Sequence, residues 1–390
     1  MFTIQTMNNI SPKGLELFPK EQYRLTEDAK EPDGILVRSR PLHDLQFPSS
    51  LKAIARAGAG VNNIPIARCT EAGIVVFNAP GANANSVKEL VITSLLISSR
   101  RVIAGVEWVK SLRGNGDKIS ALVEKGKAEF VGPEIKGKRL GVIGLGAVGV
   151  QVANDTTALG MEVMGYDPFI SVESAWGLSR AVKRASELET VFAESDYITV
   201  HTPLDDNTRG MFSWKNFSKM KRGVRILNFA RAELVETRDM LRAIEEGIVQ
   251  CYVSDFPDEV LLGNDHVIAL PHLGASTPEA EDNCAIMAVQ QLKAYLETGS
   301  IKNSVNFPDC ELRATGDTRV LIANRNIPNM VGQITTLLAS QKINISEMIN
   351  RHKGEHAFNI IDLEGRVPAD FIQKVMKIDG VIMARVINFT

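Results

Sequence analysis

His272 is the side chain whose setting best suits catalysis. It follows the apolar, β-branched run Val267-Ile268-Ala269-Leu270 in the segment Pro271-His272-Leu273-Gly274-Ala275-Ser276-Thr277. That places an imidazole just past the carboxyl end of a predicted strand, the edge where open α/β sheets hold ligands. Histidine titrates near neutrality, so it suits proton transfer. Two further strand ends carry suitable partners: Arg231 follows Ile226-Leu227-Asn228-Phe229-Ala230, and Glu259 follows Tyr252-Val253-Ser254-Asp255-Phe256-Pro257-Asp258. His43, His201, His266, His352 and His356 have no comparable setting, and His352 and His356 in His-Lys-Gly-Glu-His do not make the helical HExxH pattern of a metal site. No metal is expected.

A second chemical signal lies upstream. Gly144, Gly146 and Gly149 in Gly141-Val142-Ile143-Gly144-Leu145-Gly146-Ala147-Val148-Gly149 fit the GxGxxG pattern, after a β run and at the start of a helical one. The first glycine permits a tight turn, the second lets backbone approach a pyrophosphate, and the third lets helix pack on strand. The phosphates then rest on the helix N-terminus. The next β run ends Gly165-Tyr166-Asp167, and Asp167 stands where a carboxylate accepts the two ribose hydroxyls of an adenosine. A carboxylate there repels a 2′-phosphate, and no Arg follows at once, so the cofactor is expected to be NAD and not NADP.

These groups need a scaffold, and the chain supplies the pattern of one. Short β-branched runs alternate with longer amphipathic ones, the signature of an α/β fold with mainly parallel sheets. Strands are predicted at Gly34–Val37, Ala53–Arg56, Ile74–Phe77, Arg139–Ile143, Glu162–Tyr166, Tyr197–Val200, Val224–Asn228 and Val249–Val253. Helices are predicted at Val148–Leu159, at Pro278–Glu297, and from Ser86 to about Lys110 with Ser86 as N-cap and Glu89 three residues on. The stretch Glu297–Gly316 is rich in turn residues and reads as a linker. Beyond it, strand Thr318–Ala323, helix Met330–Gln341, strands Ile345–Asn350 and Ala357–Leu363, helix Ala369–Lys377 and strand Val381–Asn388 make a βαββαβ order, the ferredoxin-like arrangement.

Composition narrows the classes. With 44 Lys+Arg against 46 Asp+Glu the net charge is −2, which excludes a general nucleic-acid binder. Hydrophobic residues at 44% and charged ones at 23% describe a globular chain of two to three domains. Cys69, Cys251, Cys284 and Cys310 lie in separate stretches with no CxxC pair and are expected to be reduced, buried thiols. No run approaches the ~18 apolar residues of a membrane span, and Met1-Phe2-Thr3-Ile4-Gln5 lacks a signal-peptide pattern, so a soluble, cytoplasmic protein is expected.

The chain resembles the D-isomer-specific 2-hydroxyacid dehydrogenases over essentially its whole length. The resemblance is carried by Ala57-Gly58-Ala59-Gly60-Val61-Asn62-Asn63-Ile64, Val76-Phe77-Asn78-Ala79-Pro80, the glycine loop, His201-Thr202-Pro203-Leu204, Asn228 to Arg231, and Pro271-His272-Leu273-Gly274. It implies two doubly wound parallel-sheet domains, a Rossmann-like cofactor domain at 88–287 inserted in a flavodoxin-like substrate domain at 1–87 and 288–312. It also implies Arg231, Glu259 and His272 as the catalytic centre. Hydride leaves C2 of the hydroxy acid for the nicotinamide ring, the imidazole takes the hydroxyl proton, the carboxylate orients the imidazole, and the guanidinium grips the substrate carboxylate. Gly144, Gly146, Ala147, Val148, Gly149, Asp167, His201, Thr202, Pro203, Ala230, Arg231, Asp255, His272 and Gly274 are the implied NAD contacts. Two departures stand out. Ala232 replaces the usual Gly after Arg231, and the stretch Ser254 to Glu259 is one residue short, which leaves the match of Asp255 open by one.

For the substrate, the resemblance implies Arg38, Ser39, Ala59, Gly60, Val61 and Asn83 besides Arg231 and His272, with the backbone of Ala59 to Val61 meeting a carboxylate and Arg38 a phosphate. Arg40 reads equally as functional or as a surface charge. Arg100 and Arg101 are placed to reach a neighbouring subunit's phosphate pocket in a dimer. The 318–390 segment resembles an ACT domain, an amino-acid-binding regulatory unit. It is carried by Asn324-Arg325-Asn326-Ile327-Pro328-Asn329-Met330-Val331-Gly332 and Ile343-Asn344-Ile345, with Asn329 where relatives often have Gly. Asn326 and Asn344 are the implied effector ligands, with L-serine the candidate effector and simple dimerisation the other reading. The implied reaction is NAD-dependent oxidation of 3-phospho-D-glycerate to 3-phosphooxypyruvate, the first committed step towards L-serine, in a homodimer or homotetramer. The alternatives are a reductase of glyoxylate, hydroxypyruvate or 2-oxoglutarate, and a non-catalytic NAD-binding sensor.

Overall fold

The computed structural model describes residues 1–389. Chain contacts divide it into two compact units, one formed by Met1–Asn83 and Pro278–Thr390, the other by Ala84–Thr277. In the first unit, β1 (Phe2–Met7), β2 (Tyr23–Thr26), β3 (Gly34–Val37), β4 (Ala53–Arg56) and β5 (Val75–Phe77) form a parallel sheet in the order β2-β1-β3-β4-β5. Strands β3 and β5 are buried along their whole length, which explains their unbroken apolar sequence. Strands β1 and β2 were not foreseen, because Phe2–Met7 mixes Thr and Gln into its apolar positions and Tyr23–Thr26 is half exposed.

The second unit is a seven-stranded parallel sheet made of β6 (Arg139–Ile143), β7 (Glu162–Tyr166), β8 (Lys183–Arg184), β9 (Tyr197–Val200), β10 (Val224–Asn228), β11 (Val249–Ser254) and β12 (Val267–Ala269). Its order, β12-β11-β10-β9-β6-β7-β8, reverses direction at β6. The chain runs from β6 outward to β8, then returns to β9 on the other side of β6, and ligand crevices open at such a switch point. The expected single helix from Ser86 to about Lys110 is instead two, Ala84–Arg100 and Val102–Ser111. They are parted at Arg101, whose φ of 47° is left-handed and cannot continue a helix. Ser86 lies inside the first of them, and its Oγ donates to the Gly274 carbonyl at 2.8 Å, so it does not cap the helix.

The third sheet, β13 (Thr318–Arg325), β14 (Ile345–Lys353), β15 (His356–Leu363) and β16 (Val381–Asn388), is antiparallel in the order β14-β15-β13-β16. With the helices Met330–Ser340 and Phe371–Val375 this is the ferredoxin-like arrangement. One face of the sheet packs under those helices through Val320, Ile322, Ile334, Leu338, Ile361 and Phe371. The other joins the core of the first sheet: Leu321, Phe358 and Ile360 pack with Phe77, Phe307 and Tyr295. Arg319 and Asp362 are fully buried and paired, Nε and Nη2 of the guanidinium donating to the carboxylate at 2.6 and 2.8 Å, while Nη1 donates to the Thr298 carbonyl at 2.8 Å. The stretch expected to be a linker is therefore structured. The long helix runs Pro278–Thr298, Ile301 and Cys310 form a β-bridge, and Asn306 and Phe307 are buried. Its turn residues mark tight bends in packed chain.

Candidate active site

All of the expected catalytic and cofactor residues lie in the second unit, at the carboxyl ends of its strands. Register explains how the strand ends that precede three distant residues come to lie side by side. Asn228 at the end of β10 pairs with Ser254 of β11, and Ser254 pairs with Ala269 of β12. Arg231, Glu259 and His272 each follow one of these neighbouring ends within a few residues. The buried Asn228 secures the first of the loops: its Nδ2 donates to the Arg231 carbonyl at 2.8 Å and its Oδ1 accepts from the Ala230 amide at 3.1 Å. The extended Arg231 backbone, with φ at −152°, is open to any residue, and Ala232 opens a short 3-10 turn after it.

The His272 ring stands edge-on to Phe256, with centroids 5.0 Å apart and an interplanar angle of 89°. Asp255 is 2% exposed, and its Oδ1 has no hydrogen-bond partner. Burial pushes this carboxyl above its ordinary value, against the pull of the His272 charge and the Gly274 amide. The acidic group electrostatically tied to His272 is thus Asp255, and no hydrogen bond joins Glu259 to the ring among the described residues. Glu259 is exposed, and the Arg231 guanidinium turns back on the Ala230 carbonyl at 2.6 Å.

The glycine loop has the close approaches its sequence demands. Gly144 adopts φ 89°, and a Cβ there would lie 2.8 Å from the His201 backbone across the switch point. A Cβ on Gly149 would overlap the Gly144 carbonyl, whereas one on Gly146 would meet nothing within 4 Å. Gly146 therefore faces the open space that a pyrophosphate requires. Asp167 is braced by the Leu145 amide on Oδ2 and the Phe169 amide on Oδ1, both at 2.8 Å, which presents the carboxylate beside the loop. Thr202 Oγ1, beyond β9, is buried without a partner. Burial lowers His201 to about 4, so its ring, 3.0 Å from Thr199 Oγ1, is neutral at physiological pH. An open cradle at Gly146 and orphaned polar atoms at Thr202 and Asp255 fit a dinucleotide.

The sequence profile of the "D-isomer specific 2-hydroxyacid dehydrogenase, NAD binding domain" matches residues 92–274. Residues 92–274 are the NAD-binding domain of a D-isomer-specific 2-hydroxyacid dehydrogenase. The family's dinucleotide is NAD, in line with the Asp167 carboxylate. Within the family, the chain is 33% identical over 348 residues to a D-3-phosphoglycerate dehydrogenase of Methanocaldococcus jannaschii, covering 87% of this chain and 63% of that relative. The NAD+-bound 3-phosphoglycerate dehydrogenase of Entamoeba histolytica superposes with a TM-score of 0.62 at 26% identity, covering 78% of this chain and 98% of that one. A glyoxylate reductase from Paecilomyes thermophila shares the fold with a TM-score of 0.65 at 23% identity, covering 78% of this chain and 98% of that one.

In the first unit, the expected substrate residues also cluster at the carboxyl ends of strands. Ala59, Gly60 and Val61 follow β4, and their carbonyl side is held from beneath: Asn78 Nδ2 donates to the Ala59 carbonyl at 2.6 Å and the Arg56 guanidinium to the Gly60 carbonyl. The amides of all three make no hydrogen bond among the described residues, so the loop offers a small anion nest. Ser39 and Arg40 donate their amides to Asn8 Oδ1 at 3.1 and 2.8 Å, which shapes the turn after β3. Arg38 is engaged in an ion pair with Glu281 at 2.6 Å, while Arg40 is exposed and makes none among the described residues. Asn83 is half-buried at the edge of the unit. Arg101 donates to the Glu129 carbonyl at 3.0 Å, and Arg100 is exposed. On the third sheet, Asn326 donates to the Gly354 carbonyl at 3.3 Å, and Asn344 is exposed, its side chain making no hydrogen bond among the described residues. Asn329 holds φ 67° at the start of its helix, a left-handed conformation that asparagine tolerates better than most residues.

Sequence reasoning left several supports unassigned. Asn228 and Asn78 were read only as parts of motifs, and Phe256 and Arg56 as ordinary strand-end residues. The pair Gly58 and Gly60 was the available signal for Arg56, because a Cβ on Gly58 would approach its guanidinium at 3.0 Å. No metal-binding cluster occurs among the described residues, and no helix is long and apolar enough to cross a membrane.

Proposed function

We propose that the protein is an NAD-dependent dehydrogenase that oxidises 3-phospho-D-glycerate to 3-phosphooxypyruvate, in support of L-serine synthesis. The observation that carries this reading is the convergence of Arg231, Glu259 and His272 on adjacent strand ends of the unit that carries the glycine loop. The chain spans about three fifths of the length of the curated relatives it matches, so their activity enters here as the proposal it supports.

NAD would be held by Gly144, Gly146, Ala147, Val148 and Gly149 at the pyrophosphate and by Asp167 at the adenosine ribose. His201, Thr202, Pro203, Ala230, Arg231, Asp255, His272 and Gly274 complete its contacts. When bound, it supplies the hydride acceptor. His272 Nε2 or Nδ1 takes the proton of the C2 hydroxyl; the ring stands at right angles to Phe256 and makes no hydrogen bond among the described residues, which leaves its nitrogens available for that step. Arg231 leaves the Ala230 carbonyl to grip the substrate carboxylate as a fork. Glu259 closes on the charged imidazole as substrate binds, the usual tightening of a catalytic hydrogen bond from the free enzyme. The phosphate falls to cationic side chains of the first unit, with Arg40 the uncompensated one. Arg38, Ser39, Ala59, Gly60, Val61 and Asn83 are the proposed substrate contacts of that unit.

One observation favours a second reading, a reductase of an unphosphorylated 2-keto acid. The Arg38 charge is already matched by Glu281, which weakens its claim on a phosphate. NADH oxidation with 3-phosphooxypyruvate, beside glyoxylate, hydroxypyruvate and 2-oxoglutarate, separates the two. Preference for the phosphorylated acid supports the first reading, preference for another acid the second, and NADH binding without turnover overturns both in favour of a sensor. Adding L-serine to the same assay tests Asn326 and Asn344 as effector ligands in an ACT-type module.

A further inference from the structure

We propose a second ligand site, in the first unit, for a small multiply charged anion of the phosphate or phosphorylated-acid class. It is a groove of about 590 Å³ between the 303–309 turn and the end of β14, lined by Asn303, Ser304, Asp309, Arg351, His352 and Lys353. That volume suits a metabolite-sized ligand.

Charge gives the groove its ligand. Arg351 and Lys353, two apart on β14, share the face that Ile349 turns to the first sheet, so a guanidinium and an ammonium stand on one wall, with His352 between them on the opposite face of the strand. Arg351 and His352 make no hydrogen bond or ion pair among the described residues, and the Lys353 ammonium uses one of its three donors on the Ser304 carbonyl at 2.9 Å. Asp309 is the acid among the lining residues, and its Oδ1 already accepts the Asn303 amide at 2.8 Å. A planar fork beside an ammonium with two donors to spare is an arrangement that grips phosphate oxygens.

The opposite wall is preformed. Ile301 and Cys310 exchange both backbone hydrogen bonds at 2.8 Å and close the loop at its base. Within it the buried Asn306 ties the loop to β5, accepting the Val76 amide at 2.9 Å and donating to the Ile74 carbonyl at 2.9 Å. Ser304 Oγ accepts the Phe307 amide at 3.2 Å and donates to Asn306 Oδ1 at 3.1 Å. A rigid wall facing unpaired cations needs little ordering on binding, which is where affinity is usually lost. Neither Arg351 nor Lys353 belongs to the proposed catalytic or cofactor residues.

The test is calorimetric titration of the full-length, NADH-loaded protein with inorganic phosphate and, separately, with 2-phosphoglycolate. It is repeated on Arg351→Gln/Lys353→Gln and on Arg231→Gln, with NADH affinity checked to show that each variant is folded. The expected result is binding that weakens by on the order of tenfold or more in Arg351→Gln/Lys353→Gln and persists in Arg231→Gln. Loss for both probes identifies free phosphate as sufficient, and loss for 2-phosphoglycolate alone identifies a phosphorylated acid. Unchanged binding of both probes in Arg351→Gln/Lys353→Gln, or loss only in Arg231→Gln, overturns the site.

Discussion

The buried amide of Asn228 ties down the Arg231 loop, and Asn228→Ala tests whether that amide matters for catalysis. The asparagine is fully buried and makes two short contacts to the loop, one to the Arg231 carbonyl and one to the Ala230 amide. Each such bond is worth about 1 kcal/mol net, so their joint loss removes about 2 kcal/mol of the preference for the loop's present shape. If that shape is what aims the guanidinium, the same amount leaves the transition state, and kcat/KM falls about 30-fold. The assay is steady-state NADH oxidation with the preferred keto acid, alongside NADH binding by fluorescence, which should change by less than about threefold. A thermodynamic cycle supplies the control. In an Arg231→Ala background the further Asn228→Ala change should alter kcat/KM by less than about threefold, because there is no guanidinium left to aim. A full 30-fold loss in that background would refute the positioning role and reduce Asn228 to a determinant of stability.

Other perturbations follow from the same geometry. Asp362→Ala strands a buried guanidinium and should cost about 3–5 kcal/mol of stability by chemical denaturation, whereas Arg319→Met/Asp362→Leu should recover most of it; equal losses in both would deny the desolvation argument. Burial raises the Asp255 carboxyl, so its contribution to stability is present at low pH and lost as pH rises through the folded value. Asp255→Asn should therefore melt higher than the parent near neutral pH when no nucleotide is bound, and weaken NADH binding; a lower melting point would contradict this. Asp167→Ser removes the carboxylate that repels a 2′-phosphate, and the ratio of NADH to NADPH efficiency should drop by at least about tenfold. Burial raises the Cys69 thiol to about 11 and the Cys310 thiol to about 12, so iodoacetamide should label neither in the folded protein at mildly alkaline pH.

Sheet positions buried on both faces could be read from sequence, since an unbroken apolar run such as Gly34–Val37 or Tyr197–Val200 has no other home. Elements whose identity depends on tertiary partners could not. Phe2–Met7 becomes a central strand because β2 and β3 flank it, and nothing local says so. The break at Arg101 has no glycine or proline to announce it. The residues from 301 to 310 have a turn-rich composition that describes their bends and hides their burial. At the site, the residue types expected at the three strand ends lie where register brings them together, but the tie between Asp255 and His272 depends on how a loop one residue short folds back, which pattern alone leaves open.

The shared packing of the third sheet on the first has a bearing on how this chain can be cut, fused or trimmed. A module strung on a tether can be cut away without harm to what precedes it. Here the flank of β13 and β15 that carries Leu321, Phe358 and Ile360 is also the cover of Phe77 and Tyr295, and the Arg385 guanidinium donates to the Tyr295 carbonyl at 2.6 Å. A gene ending near residue 312 would encode a first sheet with an open greasy side next to the strand that leads to Asn78. In this chain the C-terminal module cannot be trimmed without baring the half of the protein it roofs.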